Sequence, residues 1–131
     1  MFGKIAGFIY TAWVMIVFTL FMILFLPFFI IPVLISERLG WITYFFLKLW
    51  AWIFSILTFI RYRVHGREHI DWSASYIFVA NHTSYLDAPG LAIGIRTQFR
   101  PLAKKELKKV PVFGWIIAAA TVIVDRSNAE S

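Results

Sequence analysis

The chain opens with two long apolar runs. Between Lys4 and Glu37 lie 32 uncharged residues rich in Phe, Ile, Leu and Val, and a second run of 22 residues from Leu39 to Ile60 contains one charge, Lys48. About 20 apolar residues are enough to cross the hydrocarbon core of a bilayer. The first run is too long for a signal peptide and ends without a small-residue cleavage site. The pattern therefore predicts a retained two-helix membrane anchor over residues 1–60.

Two arrangements of this anchor are open. The runs can form a transmembrane hairpin that turns at Ser36–Gly40, with Lys4 and the basic residues after the second run on the cytoplasmic side. Alternatively, Pro27 and Pro32 break the first run, and the pair enters a single leaflet as a re-entrant or monotopic anchor. In both arrangements we expect residues 61–131 on one face of the membrane, namely the cytoplasmic face of a bacterial inner membrane.

The remaining residues alternate between strand-like and helix-like segments. Ser75–Ala80 is a short, nearly continuous apolar run of the kind that forms a buried strand. The pattern predicts further strands over Arg61–His65, Phe99–Ala103 and Thr121–Val124, and helices over Leu86–Ile95, Lys104–Lys109 and Val112–Ala120. Strands and helices that alternate in this way indicate an α/β domain, in which helices cover a sheet.

The composition narrows the class of protein. The chain is 60% hydrophobic and 15% charged, whereas soluble domains average roughly 45–50% and about 25%. Such hydrophobicity excludes a disordered chain, and the absence of cysteine excludes disulfides, cysteine-ligated metals and a thiol nucleophile. Beside two apolar runs, the net charge of +6 indicates a membrane surface and not a nucleic acid as the partner.

The candidate chemistry follows the predicted Ser75–Ala80 strand. His82 and Asp87 would lie about 140° apart on a regular helix, so helical geometry alone does not pair them. Pro89 favours a helix start downstream of Tyr85, from where the Asp87 carboxylate can reach back to His82. Asp87 would then fix the tautomer of His82, whose other ring nitrogen faces the substrate as a general base.

Plainer interpretations compete with this one. A histidine and an aspartate at this spacing occur often by chance, and Ser84 with Asp87 also resembles a helix capping box. The position at the carboxyl end of a strand favours a site, because open α/β sheets bind ligands there. His65 and His69 flank a glycine turn and are interpreted as surface residues, so no metal site is predicted.

Four ordered segments resemble the glycerolipid acyltransferases of the PlsC type, that is, the lysophosphatidate acyltransferases and their relatives. Asn81 and His82, followed after four residues by Asp87, resemble the family signature. The other matching segments are Val64–Ile70, Ala103–Leu107 with Pro111–Trp115, and Ala120–Arg126. The resemblance covers about residues 62–128.

This resemblance implies that residues 61–131 form the first half of an α/β glycerolipid acyltransferase domain. The family's Phe-Pro-Glu-Gly-Thr-Arg-Ser motif is not found before Ser131. We therefore expect a domain truncated at its carboxyl end. A polar portion of this size is marginal for an independent core, so poor folding or inactivity in isolation is also expected.

The resemblance also implies a reaction. An acyl group would move from acyl-CoA or acyl-carrier protein to the free hydroxyl of lysophosphatidate in phospholipid biosynthesis, with no cofactor. His82 and Asp87 would be catalytic, and backbone N–H groups of the His82–Tyr85 turn are candidate oxyanion donors. The implied substrate-binding residues are Arg126 for the acceptor phosphate, together with Lys105, Asn81 and Ser84.

Alternatives remain at this level. The acceptor could be another lysolipid, or the chain could be a non-catalytic, membrane-anchored module that binds acidic lipids or partners through the Lys104–Arg126 surface. The basic run Lys104, Lys105, Lys108 and Lys109 is either a solvated helix face or a surface for anionic headgroups, coenzyme A or the acidic carrier protein.

Overall fold

The computed structural model of the protein describes residues 2–111 and 113–125. Within these residues most of the regular structure is helical. The elements are α1 (Phe2–Ile35), α2 (Gly40–Thr58), α3 (Asp87–Gly94), β1 (Leu102–Lys104), α4 (Phe113–Ala120) and β2 (Val122–Val124). Short 3-10 helices cover Glu37–Leu39, Arg67–His69 and Lys105–Lys109.

The two apolar runs form an antiparallel helical hairpin, with its turn where the sequence predicts it. The Tyr10 hydroxyl donates to the Thr58 carbonyl oxygen over 2.8 Å, and the Trp13 indole N–H donates to the Leu57 carbonyl oxygen over 3.0 Å. These bonds pair carbonyls that the last turn of α2 leaves without helical partners. At about 1.5 Å per residue, α1 is about 51 Å long and α2 about 28 Å. Both helices are long and apolar enough to cross a membrane.

Pro27 and Pro32 lie inside α1 and do not break it, so the alternative in which they interrupt the first run is wrong on that point. A proline removes one helical hydrogen bond and crowds the preceding turn, at a cost of about 3 kcal/mol. Phe25 and Phe29, on either side of Pro27, are buried in the core that α1 shares with α2. Tertiary packing of this kind supplies most of the stability of helices in proteins, and it explains why α1 continues through both prolines.

Aromatic side chains fill the core of the hairpin. Trp50 and Phe54 of α2 are fully buried, and the Phe18 ring of α1 meets the Trp50 ring edge-on at a centroid distance of 5.2 Å. Ala92 of α3 and Ile116 of α4 belong to the same buried cluster as Trp50. The region after residue 60 therefore packs directly onto the hairpin and is not held to it by a linker alone.

The opposite face of the hairpin is apolar and uncovered. An exposed apolar surface of this extent is typical of a membrane or protein contact. Its large side chains include Phe8, Ile9, Ile16, Leu20, Ile23, Leu24, Phe28, Ile31, Phe45, Trp52 and Ile56.

The sheet is smaller than the sequence predicts. β1 and β2 pair in parallel, with Ala103 opposite Ile123, and the 3-10 helix Lys105–Lys109 and α4 form the crossover, as expected for parallel strands. The predicted Phe99–Ala103 strand is found at Leu102–Lys104, and the predicted Thr121–Val124 strand at Val122–Val124.

Two predicted strands do not form in the described residues. Neither Arg61–His65 nor Ser75–Ala80 is a strand, so the strand predicted at Arg61–His65 and the buried strand predicted at Ser75–Ala80 are both wrong for this structure. Ile77 and Val79 are 94% and 91% exposed. An apolar run indicates strand propensity, but a strand requires a hydrogen-bonded neighbour, and none of the described strands pairs with this segment.

Two of the three helices predicted for the second half form as α-helices, and the third, predicted over Lys104–Lys109, is the 3-10 helix Lys105–Lys109. α3 occupies Asp87–Gly94 within the predicted Leu86–Ile95 segment, and α4 occupies Phe113–Ala120 within the predicted Val112–Ala120 segment. Gly114 lies so close to the backbone of Lys108 that a Cβ would be 2.7 Å from the Lys108 carbonyl carbon. Only glycine fits this approach without movement of the backbone.

Candidate active site

The turn before α3 is organised by the sequence around Pro89. Because proline has no N–H and crowds the carbonyl four residues earlier, regular helix begins late, and α3 starts at Asp87. Pro89 itself is fully buried. Residues 81–86 therefore stay outside the helix, and Asp87 takes its first position, within the first turn where the sequence predicts it.

His82 and Asp87 are brought into contact by this turn. His82 Nδ1 lies 3.1 Å from Asp87 Oδ2, and the imidazole remains largely exposed, with 61% of its side-chain surface accessible. An ionised carboxylate accepts hydrogen bonds only, so His82 Nδ1 carries the proton in this pair. His82 Nε2 then keeps its lone pair, as a general base requires.

The Asp87 carboxylate is held by the turn that it closes. Besides His82, its Oδ2 accepts backbone N–H bonds from Thr83 and Ser84, each over 2.9 Å. The N–H donors of Ser84 and Thr83, and then His82, hold the pKa of the Asp87 carboxyl below its ordinary value of 3.8. Hydrogen bonds to a carboxylate favour its charged form, so Asp87 is an anion at neutral pH.

The predicted capping box is present only in part. The Asp87 carboxylate accepts the Ser84 N–H, as in a capping box. The Ser84 hydroxyl, however, accepts from the backbone N–H of Leu86 over 3.1 Å and not from that of Asp87. The turn is therefore organised mainly by the Asp87 carboxylate.

A cavity of about 280 Å³ opens beside His82 and Asp87. Its walls come from residues 80–82, from residues 62–64 and from α3. Its lining residues are Tyr62, Arg63, Val64, Ala80, Asn81, His82, Asp87, Gly90 and Leu91. The paired carboxylate and imidazole thus face a space into which a substrate group can enter.

Tyr62 is a cavity residue that the sequence reasoning did not select. Its hydroxyl donates to the Leu86 carbonyl oxygen over 3.0 Å, which ties the segment after the hairpin to the candidate turn. Burial, and then the nearby Asp87 charge, raise the pKa of Tyr62 to about 12. The alternation of Arg61–His65 does not single out Tyr62, because no strand forms there and Arg63 lines the cavity as well.

The predicted substrate-binding residues are not all in one place. Asn81 lines the cavity, whereas Ser84 is occupied in the turn. Lys105 forms a hydrogen-bonded ion pair with Asp125 at 2.7 Å, which raises the pKa of Lys105, and it does not line the cavity. Arg126 lies outside the described residues.

The candidate oxyanion donors are partly used by the protein itself. The backbone N–H groups of Thr83 and Ser84 point to the Asp87 carboxylate and are not free for an oxyanion. Of the His82–Tyr85 turn, this leaves the backbone N–H groups of His82 and Tyr85.

Metal ligands do not cluster in the part of the chain that the structure describes, where no group of three or more His, Asp or Glu side chains could hold an ion. His69 lies 3.4 Å from Glu68, and both side chains are largely exposed.

Similarity to known proteins identifies the family of the chain. A family model described as Acyltransferase matches residues 61–131, which is more than half of the chain. The chain belongs to the acyltransferase family, of the PlsC type that its ordered motifs indicate.

An uncharacterized acyltransferase of Schizosaccharomyces pombe is 33% identical over 75 residues, which are 56% of this chain and 26% of that protein. The chain thus spans about a quarter of the length of this curated relative. No solved structure matches the chain.

Proposed function

We propose that the protein transfers a fatty acyl group from the thioester of acyl-CoA or acyl-carrier protein to the free hydroxyl of lysophosphatidate, in phospholipid biosynthesis. The observation that carries this proposal is the His82–Asp87 pair, whose carboxylate is fixed by two backbone N–H groups beside a cavity. Membership of the acyltransferase family supports the reaction class.

In the proposed reaction, His82 Nε2 accepts the proton of the acceptor hydroxyl while the hydroxyl oxygen attacks the thioester carbonyl carbon. The carbon–sulfur bond then breaks, and the thiolate leaves with the proton that His82 returns. Asp87 orients the imidazole and stabilises its protonated form. The backbone N–H groups of His82 and Tyr85 are proposed as donors to the developing oxyanion. The donor is a co-substrate, and no cofactor takes part.

Arg126 is proposed to bind the acceptor phosphate, because a guanidinium offers a fork of donors that matches phosphate oxygens. The motif Ala120–Arg126 supports this role by its resemblance to the family. Asn81 is proposed as a substrate contact on the strength of its place in the cavity lining. Ser84 and Lys105 are proposed to act indirectly, through the turn and through Asp125.

A transfer assay on the full-length protein tests the proposal. We expect phosphatidate from lysophosphatidate with acyl-CoA or acyl-carrier protein as donor, and much less product from monoacylglycerol, which lacks the phosphate. Thin-layer separation of labelled product measures both reactions. Thioester hydrolysis without transfer, or equal transfer to monoacylglycerol, would contradict the proposed acceptor.

For the anchor, we propose the monotopic arrangement on the cytoplasmic face; a bacterial inner membrane stays a prediction from the sequence. The backbone segment that follows α3 lies against α2 near the hairpin turn. Tyr44 donates to the Ile95 carbonyl oxygen over 2.5 Å, and Lys48 donates to the Arg96 carbonyl oxygen over 2.9 Å. A spanning hairpin would carry Arg96 and irregular backbone into the hydrocarbon core, where both are costly. In the monotopic arrangement, the uncovered apolar face of the hairpin enters one leaflet, and the segment with Ile95 and Arg96 stays outside the hydrocarbon core.

Cysteine labelling checks the arrangement, since the chain contains no cysteine of its own. We test Arg38→Cys, in the hairpin turn, and Ser75→Cys, after the hairpin, with a membrane-impermeant maleimide added outside sealed vesicles. We expect the two variants to behave alike, so that both are labelled or both are protected. Labelling of the two variants from opposite sides would establish a spanning hairpin. Vesicles opened with detergent provide the control for reactivity.

A further inference from the structure

A second cavity, of about 570 Å³, lies between α2 and the segment that leaves the hairpin. Five basic side chains line it: Lys48, Arg61, Arg63, Arg67 and Arg96. None of the described residues that line it is acidic. A cleft lined by charges of one sign concentrates the field and attracts an ion of the opposite sign.

Two of these cations are anchored by backbone carbonyls and hold the cavity in shape. Arg67 donates from Nε to the Gly94 carbonyl oxygen over 3.1 Å and from Nη2 to the Ile93 carbonyl oxygen. Lys48 donates to the Arg96 carbonyl oxygen. These bonds tie α2, the end of α3 and the segment after the hairpin together without neutralising the positive charge. The cavity therefore keeps its charge for a ligand.

The remaining three cations are accessible to a ligand. Arg61, Arg63 and Arg96 are exposed, and no carboxylate of the described residues forms an ion pair with them. Guanidinium groups bind phosphate oxygens with two parallel N–H bonds. The exposed guanidinium groups of the cavity therefore match the oxygens of an anionic phosphate.

The surroundings indicate that the phosphate belongs to a lipid. Trp52, which is 58% exposed, lines the same cavity and continues into the uncovered apolar face of the hairpin through Ile56. Tryptophan beside basic residues is typical of the level of lipid headgroups. A headgroup phosphate can therefore occupy the basic part while its acyl chains lie along the apolar face.

We propose that this basic cavity binds the headgroup of an anionic membrane phospholipid, as a site separate from the His82 cavity. The two cavities share a wall, residues 62–64, so a lipid bound here stiffens the segment that also lines the His82 cavity. The proposal does not depend on the acyl-transfer reaction. It also differs from headgroup binding by the Lys104–Lys109 run.

Lipid retention by native mass spectrometry tests the site. The full-length protein is purified in a neutral detergent and titrated with phosphatidylglycerol or with phosphatidylcholine of the same acyl chains. We expect preferential retention of phosphatidylglycerol. The double variant Arg61→Gln with Arg96→Gln should bind it about 30-fold more weakly, at about 1 kcal/mol for each basic residue lost and about 1.4 kcal/mol per tenfold. Among the described residues neither side chain forms a hydrogen bond or an ion pair, and circular dichroism verifies the fold.

The matched control is Lys108→Gln with Lys109→Gln, which removes the same charge from the 3-10 helix Lys105–Lys109. We expect this variant to keep its affinity for phosphatidylglycerol. An equal loss in both double variants would show diffuse attraction and overturn the site, as would unchanged affinity in the arginine variant. Displacement of the lipid by inorganic phosphate at comparable concentration would show a site for soluble phosphates and would also overturn it.

A measurement on the otherwise unaltered chain covers the case in which the arginine variant fails to fold. Phosphatidylglycerol with brominated acyl chains should quench tryptophan fluorescence more than brominated phosphatidylcholine. This excess should be lost in Trp52→Phe. An excess that persists unchanged without Trp52 would place the lipid elsewhere and contradict the proposal.

Discussion

Replacing His82 with alanine is expected to lower the acyl-transfer turnover of the full-length protein by about 10²–10⁴-fold, the usual contribution of a general base. His82 is the ring that faces the cavity, and its Nδ1 is engaged by Asp87 at 3.1 Å. Without the imidazole, the acceptor hydroxyl has no partner to take its proton. Steady-state turnover at saturating donor and acceptor is the measurement.

His69→Ala is the matched control, because His69 is an exposed histidine whose described partner is Glu68. It should keep the wild-type turnover. A folded His82→Ala protein that retained most of the turnover would remove His82 from the role of general base. Circular dichroism and retention in the membrane fraction verify folding of both variants.

Replacing Asp87 with asparagine is expected to reduce turnover by a comparable factor, on the order of 10²–10⁴-fold. The amide keeps the size of the side chain and can still accept backbone N–H bonds. It has no negative charge to stabilise the protonated imidazole, and it can hold the wrong tautomer of His82. Turnover should fall with little change in the KM of either substrate, because the lost interaction is made in the transition state.

Asp71→Asn is the control for Asp87→Asn. The Asp71 carboxylate also accepts two hydrogen bonds, from the backbone N–H and the hydroxyl of Ser73, and these lower its pKa as well. It does not line the His82 cavity. Equal losses in the two variants would mean that Asp87 supports folding of its turn and not the reaction.

The lowered pKa of Asp87 sets a direction for the pH dependence. A carboxyl whose pKa is depressed on folding stays ionised above its ordinary value of 3.8 and loses its charge only as the pH falls further. Protonation of Asp87 therefore does not cause a loss of turnover between neutral pH and that value. The pH profile of turnover is measured from neutral pH downward. A loss above pH 3.8 that is absent in Asp87→Asn and unchanged in Asp71→Asn would contradict this prediction.

The sequence by itself determined the helices and the site contact. Two long apolar runs, the second with the single charge Lys48, predict the hairpin and its turn, because run length and hydrophobicity act locally. Pro89 similarly predicts that α3 begins late, which leaves Asp87 within reach of His82. The spacing of the motif and the backbone chemistry of proline are both local, so a linear pattern carries them.

The tertiary structure decided what depends on partners distant in the chain. Ser75–Ala80 has the composition of a buried strand, yet Ile77 and Val79 are exposed because no described segment pairs with them. Pro27 and Pro32 remain inside α1 because aromatic packing on α2 outweighs the lost hydrogen bonds. The basic cavity joins Lys48 to Arg61, Arg67 and Arg96, residues that are separated in sequence and meet only when α3 packs on α2. Pairing, packing and the convergence of charges are long-range, and local sequence patterns do not contain them.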